Sequence, residues 1–228
     1  MIPVRDDIPM RIAPVVTLAL IAANILVFAY ELSLSVDGGV GKLGEFVDRW
    51  GLVPREFLRG IAESEATRQI VWVTPLSAMF IHGGLVHLAG NLLYLWIFGA
   101  KVEGVLGPAR FAVLYLACGL AAAVAQTASD PESYTATVGA SGAISGILGA
   151  YAVSFPTRRL RLLWPPVRVP ALIFLLVWVL LQLLAGLEAW PGDEDLVAWW
   201  AHVGGFAAGV ALGRTMWVRN PTRSRLRI

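Results

Sequence analysis

Six apolar stretches, most of them close to the ~20 residues that an α-helix needs to cross a bilayer, limit what this chain can fold into. Of its 228 residues, 57% are hydrophobic and 15% are charged, and the mean hydropathy of +0.68 lies outside the range of a soluble globular domain. We therefore predict an all-α fold: a polytopic membrane protein whose six transmembrane helices form one domain over residues 1–228. The predicted spans are residues 14–34, 75–100, 108–128, 140–155, 169–188 and 197–217.

The first span is predicted to be retained. Arg5 and Arg11 precede it, and no small-residue cleavage site follows a short apolar core, so we expect no removable signal peptide. The single cysteine, Cys118 in the third span, cannot form an intrachain disulfide and is most simply a small apolar packing residue.

The distribution of Lys and Arg predicts the orientation of the bundle, because cytoplasmic loops carry an excess of these residues. Thirteen of the 18 basic residues fall on one side, whereas the third loop and the fifth loop, which contains acidic residues 193–195, have none. Both termini are therefore predicted to face the cytoplasm, with the basic C-terminus near anionic lipid. The thirteen are Arg5, Arg11, Lys101, Arg110, Arg158, Arg159, Arg161, Arg168, Arg214, Arg219, Arg223, Arg225 and Arg227.

The first outer loop, residues 35–74, is an exception, because it contains both basic and acidic residues. Its apolar residues from Leu43 to Ile61 recur at nearly helical spacing around a break at Pro54. This pattern predicts two short amphipathic helices that lie in the membrane interface. The alternative is a buried loop tucked against the bundle.

Polar residues on three spans are predicted to lie at one depth. At 1.5 Å per residue, Ser141 at the head of the short fourth span lies roughly 8 Å below the outer surface of a ~30 Å core, and His202 lies about 8 Å below it. His87 on the second span lies about 9 Å below the same surface. Asn91 is one turn deeper on the same face as His87. The four side chains are therefore predicted to share one region.

Glycines explain how two of these spans could approach closely. Both the fourth and the sixth spans carry glycine at nearly helical spacing, which predicts close contact between the two helices. Such contact would let Ser141 reach His202. The glycines are Gly142, Gly146 and Gly149 in the fourth span and Gly205, Gly209 and Gly213 in the sixth.

This set of residues is suited to nucleophilic catalysis. A serine hydroxyl needs a neighbouring base, and the histidines available are His82, His87 and His202. No aspartate or glutamate is predicted at this depth in any span, which favours a Ser-His dyad over a triad. The Asn91 amide, the His87 imidazole and the backbone N–H of Ser141 are suitable donors for an oxyanion.

The remaining histidine is predicted to be structural. His82 lies five residues from His87, so on one continuous helix it would be rotated about 140° away. A metal site built from His82, His87 and His202 would lack a carboxylate or thiolate ligand, and we predict neither a metal nor a cofactor. Glu103 is predicted to make a structural contact at the inner edge of the second span.

Four motifs in order along the chain resemble those of the rhomboid intramembrane serine proteases. The resemblance covers the chain from the first span to the sixth. It implies that Ser141 is the nucleophile, that His202 is the base, and that His87 and Asn91 form the side-chain part of the oxyanion hole. The motifs are FIHGGLVHLAGN at residues 80–91, GAKVE at 99–103, GASG at 139–142 and AHVGG at 201–205.

The resemblance also implies a function. We expect a six-helix rhomboid-like bundle that acts as an intramembrane serine endopeptidase, with an acyl-enzyme at Ser141 and a site open to the extracytoplasmic side of a plasma or inner membrane. Its expected partners are the bilayer and single-helix membrane substrates that enter near the fifth span; no nucleic acid is expected, and the oligomeric state is unspecified. The alternative is a non-proteolytic rhomboid-like protein that binds membrane helices. A channel or transporter is a third hypothesis, disfavoured because charged residues within the spans are lacking.

Two positions depart from the pattern of the family. Many relatives have a Trp-Arg pair before the second span, whereas this chain has Trp72-Val73. Some relatives have a tyrosine that stacks on the histidine four residues after the serine, whereas this chain has Ser145. We therefore expect other contacts to orient His202, and we expect no seventh span.

Overall fold

The computed structural model describes residues 3–6, 13–63, 71–163, 166–188 and 197–218. Within these ranges the chain forms nine α-helices and three short β-strands. A 3₁₀ turn, Ala78–Phe80, precedes α4, and a π-helical turn, Leu95–Gly99, joins α4 to α5. The helices are α1 (Val15–Trp50), α2 (Pro54–Glu63), α3 (Thr74–Ser77), α4 (Leu85–Tyr94), α5 (Ala100–Leu106), α6 (Pro108–Ser129), α7 (Ser141–Ser154), α8 (Ala171–Glu188) and α9 (Trp199–Val218). The strands are β1 (Pro3–Asp6), β2 (Arg159–Leu162) and β3 (Arg168–Pro170).

The helices make this a multi-pass membrane protein. Four described stretches are long and apolar enough to cross a bilayer: Val15–Val36 of α1, Leu85–Leu106 through α4 and α5, all of α6, and all of α8. Helices α7 and α9 occupy the fourth and sixth predicted spans, but α7 has only 14 residues. The predicted mostly helical membrane fold is confirmed, whereas the count of six spanning helices stays a prediction.

Two helices have bounds that differ from the predicted spans. The apolar stretch Val15–Val36 agrees with the first predicted span, but α1 has 36 residues, about 54 Å of helix, and continues to Trp50. The apolar residues from Leu43 to Trp50 therefore continue α1 instead of forming a separate short helix. The second span was predicted to begin at residue 75, but α4 begins only at Leu85. The Gly83-Gly84 pair separates α4 from the short elements before it, since glycine is unfavourable inside a helix.

The loop between α1 and α3 packs against the bundle. Leu52 exchanges backbone hydrogen bonds with Thr137, with N···O distances of 3.1 and 2.8 Å. Phe57 of α2 packs beside buried Leu52, Ala78 and Ala123. Of the two alternatives left by the sequence, the loop tucked against the bundle is therefore the one the structure favours.

Three strands form an antiparallel sheet in the order β1-β2-β3, which was not predicted. Leu160 and Leu162 of β2 are buried while Arg159 and Arg161 are exposed, the period-2 alternation typical of a strand. Pairing of β1 with β2 puts the N-terminal segment and the α7–α8 connection at one end of the bundle. Acidic residues 193–195 and the arginines after residue 218, which the orientation prediction also used, lie outside the described residues.

Helix α7 lies at the centre of the bundle and is buried along most of its length. A Cβ added to Gly205 of α9 would collide with the carbonyl oxygen of Gly142, and one added to Gly209 would collide with that of Gly146. The predicted glycine contact between these helices is therefore confirmed. Cys118 of α6 is buried against Gly146, in keeping with its predicted packing role.

Glu103 of α5 fixes the start of α1. Its carboxylate accepts hydrogen bonds from the backbone N–H groups of Val16 and Thr17, at 2.9 and 2.8 Å, and from the Thr17 hydroxyl at 2.8 Å. The first N–H groups of a helix have no acceptors within the helix, and a carboxylate there is stabilised by the helix dipole. The predicted structural contact of Glu103 is thus found.

We expect Gly209→Ala to lower the melting temperature of the purified protein in detergent. The added methyl group overlaps the Gly146 carbonyl, and overpacking of this kind costs about 1–3 kcal/mol. Gly104→Ala in α5 is the matched control, because a Cβ there meets no atom within 4 Å. Equal melting temperatures for the two variants would contradict the tight contact between α7 and α9.

Candidate active site

The structure brings together the serine and the histidine predicted to pair. Ser141 is the first residue of α7, and His202 lies in the first turn of α9. The Ser141 hydroxyl and Nε2 of His202 are 2.8 Å apart. His202 is only 9% exposed, so this hydrogen bond is largely shielded from solvent.

Backbone contacts fix the two helix ends that carry these side chains. The backbone N–H of Ala201 donates to Oε1 of Gln126 on α6 at 3.2 Å, which ties the start of α9 to α6. The Ser145 hydroxyl donates to the Ser141 carbonyl at 2.6 Å. Ser141 itself lies at a helix N-terminus, where the first backbone N–H groups point outward without acceptors in the helix. An anion near Ser141 would therefore be stabilised.

His202 is oriented by two side chains of α8, Gln182 and Trp178, and one of α9, Trp199, none of which was predicted to contact it. Its Nδ1 lies 2.7 Å from Oε1 of Gln182. The Trp178 ring lies beside the imidazole, with centroids 5.8 Å apart at 39°, and Trp199 makes an edge contact at 6.3 Å and 87°. One signal was available in the sequence: Gln182 is the sole polar side chain of α8 before Glu188, and a polar residue inside an apolar span marks a specific contact.

His87 and Asn91 lie beside the turn that leads into α7. A Cβ added to Gly139 would meet Cε1 and Nε2 of His87 at 2.7 Å and the amide nitrogen of Asn91 at 3.7 Å. Gly139 has φ +118°, which a side chain would also disfavour. The predicted oxyanion donors His87 and Asn91 are thus adjacent to Gly139, which lies two residues before Ser141.

The Asn91 amide is buried with an unused donor. Asn91 is 7% exposed, and among the described residues none accepts a hydrogen bond from its Nδ2. Leaving a buried donor unpaired costs about 1–3 kcal/mol, so most such groups in proteins find partners. A donor kept free beside Ser141 is suited to a substrate oxygen.

His82 makes structural hydrogen bonds, as predicted, but the helical geometry on which that prediction was based does not apply. Its Nδ1 lies 3.1 Å from the Phe80 carbonyl. It belongs to the loop before α4, so the helical rotation that was predicted to separate it from His87 does not apply. The two rings are in contact, with centroids 5.2 Å apart. Among the described residues no group of three or more His, Cys, Asp or Glu is placed to hold a metal ion.

The expectation that no carboxylate lies near this depth was wrong. Glu31 of α1 is 3% exposed, and its carboxylate accepts the backbone N–H of His82 at 3.2 and 3.3 Å. Glu31 lies three residues before residue 34, the predicted end of the first span, and α1 continues to Trp50. Glu31 contacts His82 and not His202, so the dyad hypothesis is unaffected by the correction.

A small cavity of about 30 Å³ lies beside Ser141. Its volume is sufficient for a water molecule or a small side chain. Small and apolar residues form most of its wall, which includes Leu52, Met79, Ala122, Val138 and Ala201.

Fold and site together define a class of protein. It is a multi-pass membrane protein in which a half-buried serine is hydrogen-bonded to a buried histidine, near amide and imidazole side chains. Residues 69–219 match the family model of the Rhomboid domain. The chain therefore belongs to the rhomboid family.

Several curated proteins are similar to this chain. RHOMBOID-like protein 5 of Arabidopsis thaliana is 32% identical over 146 residues, which are 63% of this chain and 44% of that protein. Rhomboid protease GluP of Bacillus subtilis is 34% identical over 137 residues, 60% of this chain and 24% of that protein. Rhomboid-type serine protease 2 of Emericella nidulans is 32% identical over 161 residues, 69% of this chain and 29% of that protein. The chain spans less than half the length of each.

We expect Gly139→Ala to slow the reaction of Ser141 with a serine-directed fluorophosphonate probe by at least about tenfold, because the new methyl group displaces His87 from the site. Gly107→Ala is the matched control. Gly107 also has a positive φ, +79°, but a Cβ there meets no atom within 4 Å. Equal labelling rates for the two variants at equal melting temperature would show that His87 does not influence the reactivity of Ser141.

Proposed function

We propose that this protein is an intramembrane serine endopeptidase that cleaves transmembrane segments of membrane-protein substrates. The observation that carries the proposal is the 2.8 Å hydrogen bond between the Ser141 hydroxyl and Nε2 of His202. Membership of the rhomboid family and relatives whose names describe proteases support it.

In the proposed reaction, the Ser141 oxygen attacks the carbonyl carbon of the scissile peptide while Nε2 of His202 takes the hydroxyl proton. His202 then gives this proton to the leaving amine as the C–N bond breaks, which leaves an acyl-enzyme on Ser141. A water molecule, deprotonated by the same nitrogen, hydrolyses the ester and restores the serine. One base therefore serves both steps.

The tetrahedral intermediates carry negative charge on the former carbonyl oxygen. We assign its stabilisation to the Asn91 amide, the His87 ring and the backbone N–H of Ser141 at the start of α7. The free Nδ2 donor of Asn91 supports this assignment, because it requires no hydrogen bond to be broken before the oxyanion forms.

The surroundings of Ser141 favour a substrate segment with small residues. The pocket beside the serine is lined mostly by small and apolar residues, among them Ala122, Ala143 and Ala201, which suits small substrate side chains. A substrate helix must also unwind before its carbonyl can reach the serine, since helical carbonyls are already hydrogen-bonded. We place the substrate path along α8, which buries only Ala171, Phe174, Leu175 and Gly186 in the bundle.

We infer that the site opens on the side of the membrane opposite the basic sheet. Ser141 begins α7 and β2 follows its end, so about 21 Å of helix separates the serine from Arg159 and Arg161. Because basic residues favour the cytoplasm, we propose that both termini lie in the cytoplasm and that the serine lies toward the extracytoplasmic side of a plasma or inner membrane.

We expect Ser141→Ala and His202→Ala each to abolish cleavage of a fluorogenic transmembrane substrate in liposomes, while both variants keep the wild-type melting temperature. Mass spectrometry of the wild-type product identifies the bond that is cut. Turnover by either variant would refute the proposed dyad. Wild-type protein that is folded but neither cleaves the substrate nor reacts with a fluorophosphonate would instead favour the non-proteolytic, helix-binding alternative.

We expect Asn91→Ala to lower kcat by about 10²- to 10³-fold, the usual effect of removing one oxyanion donor. Asn24→Ala is the matched control. Asn24 is also a buried asparagine, but it lies on α1 and its amide donates to the Leu20 carbonyl at 2.7 Å. With rates normalised to folded protein, similar kcat values for the two variants would show that Asn91 is not part of the oxyanion hole.

A further inference from the structure

We propose that Gln182 is a positioning residue, the third member of a Ser141–His202–Gln182 hydrogen-bond chain that holds the histidine in the tautomer required for catalysis. The inference rests on the proposed function. It identifies what orients His202 in a chain that has Ser145 where some relatives have a stacking tyrosine.

One tautomer of His202 satisfies both of its hydrogen bonds. Nδ1 lies 2.7 Å from Oε1 of Gln182, and a carbonyl oxygen can only accept, so this contact is a hydrogen bond when Nδ1 carries the hydrogen. A neutral imidazole has one N–H, which leaves Nε2 with a lone pair directed at the Ser141 hydroxyl 2.8 Å away. In the other tautomer, the lone pairs of Nδ1 and the amide oxygen would face each other.

The orientation of the ring is supported from the same helix. Trp178 and Gln182 are four residues apart and therefore share one face of α8. Trp178 lies against the imidazole, at 5.8 Å between centroids and 39° between planes. The hydrogen bond fixes rotation of the ring, and the indole restricts its movement out of the plane.

Packing alone does not explain a glutamine at this position. Between Leu175 and Gly186 no residue of α8 is fully buried, so position 182 is not part of a tightly packed core. An amide within an apolar span is unfavourable unless it has a specific partner. Here the partner is Nδ1 of His202. Because glutamine is neutral, Gln182 affects the orientation and tautomer of His202 without adding charge to the site.

The test compares Gln182→Met, which removes the acceptor at similar length, with Gln182→Glu, which keeps a carbonyl oxygen whether or not it is ionised. For Gln182→Met we expect kcat to fall about 10- to 100-fold with little change in KM, the range found for hydrogen-bond partners of metal-ligating histidines. We expect Gln182→Glu to recover most of that loss. Leu26→Met is the control, since Leu26 is exposed on α1, outside the proposed substrate path along α8, and should keep the wild-type rate.

Nitrogen-15 NMR of histidine-labelled protein at about pH 8 reports the tautomer of His202 without requiring catalysis. The His202 signals, assigned by their absence in His202→Ala, should show the Nδ1–H tautomer in the wild type and a mixture of tautomers in Gln182→Met. A kcat loss without a tautomer change and without rescue by Gln182→Glu would overturn the inference, as would an unchanged kcat. Failure of wild-type protein to cleave, with the tautomer still dependent on Gln182, would refute the proposed function alone.

Discussion

The contact between the glycines of α7 and α9 is the constraint on which the rest of the structure depends. Gly205 and Gly209 bring α9 against backbone carbonyls of α7, a distance that any larger residue would prevent. Serine and histidine side chains are short, so they meet only when the helices that carry them are this close. Without this contact, Ser141 and His202 would be two isolated polar groups in an apolar bundle.

Most buried polar side chains in this bundle have a defined partner, as expected where no water is available to replace one. Glu103 binds the start of α1, Glu31 binds the loop that holds His82, and Gln182 binds His202. The Nδ2 donor of Asn91 has no acceptor among the described residues, and the buried hydroxyl oxygens of Tyr115 and Thr127 likewise have no partner there. Asn91 differs from them in lying next to Gly139, on the turn that leads to Ser141. An unpaired buried donor is least unfavourable where a ligand can accept its hydrogen bond. The position of the Asn91 donor near Ser141 therefore supports a role in catalysis.

The sequence was sufficient to predict the membrane fold and the pairing of Ser141 with His202, because hydropathy and helical rise follow directly from residue order. It did not predict that α1 continues to Trp50, since the interfacial residues after position 34 are polar and no longer resemble a span. It also missed β2, whose Arg-Leu alternation is only four residues long. Gln182 lies 20 residues from His202, and its role depends on how α8 is rotated against α9, which hydropathy does not determine.

Two of the side chains that orient His202 come from one helix, so the reactivity of the site depends on the position of that helix. Trp178 and Gln182 both belong to α8, which has few buried residues and faces lipid with Leu180, Leu181 and Leu184. If these contacts set the tautomer of His202, the base is ready only while α8 is packed against α9. A helix that borders the proposed substrate path would then also control the base, so any movement of α8 that admits a substrate must be reversed before the serine can be deprotonated efficiently.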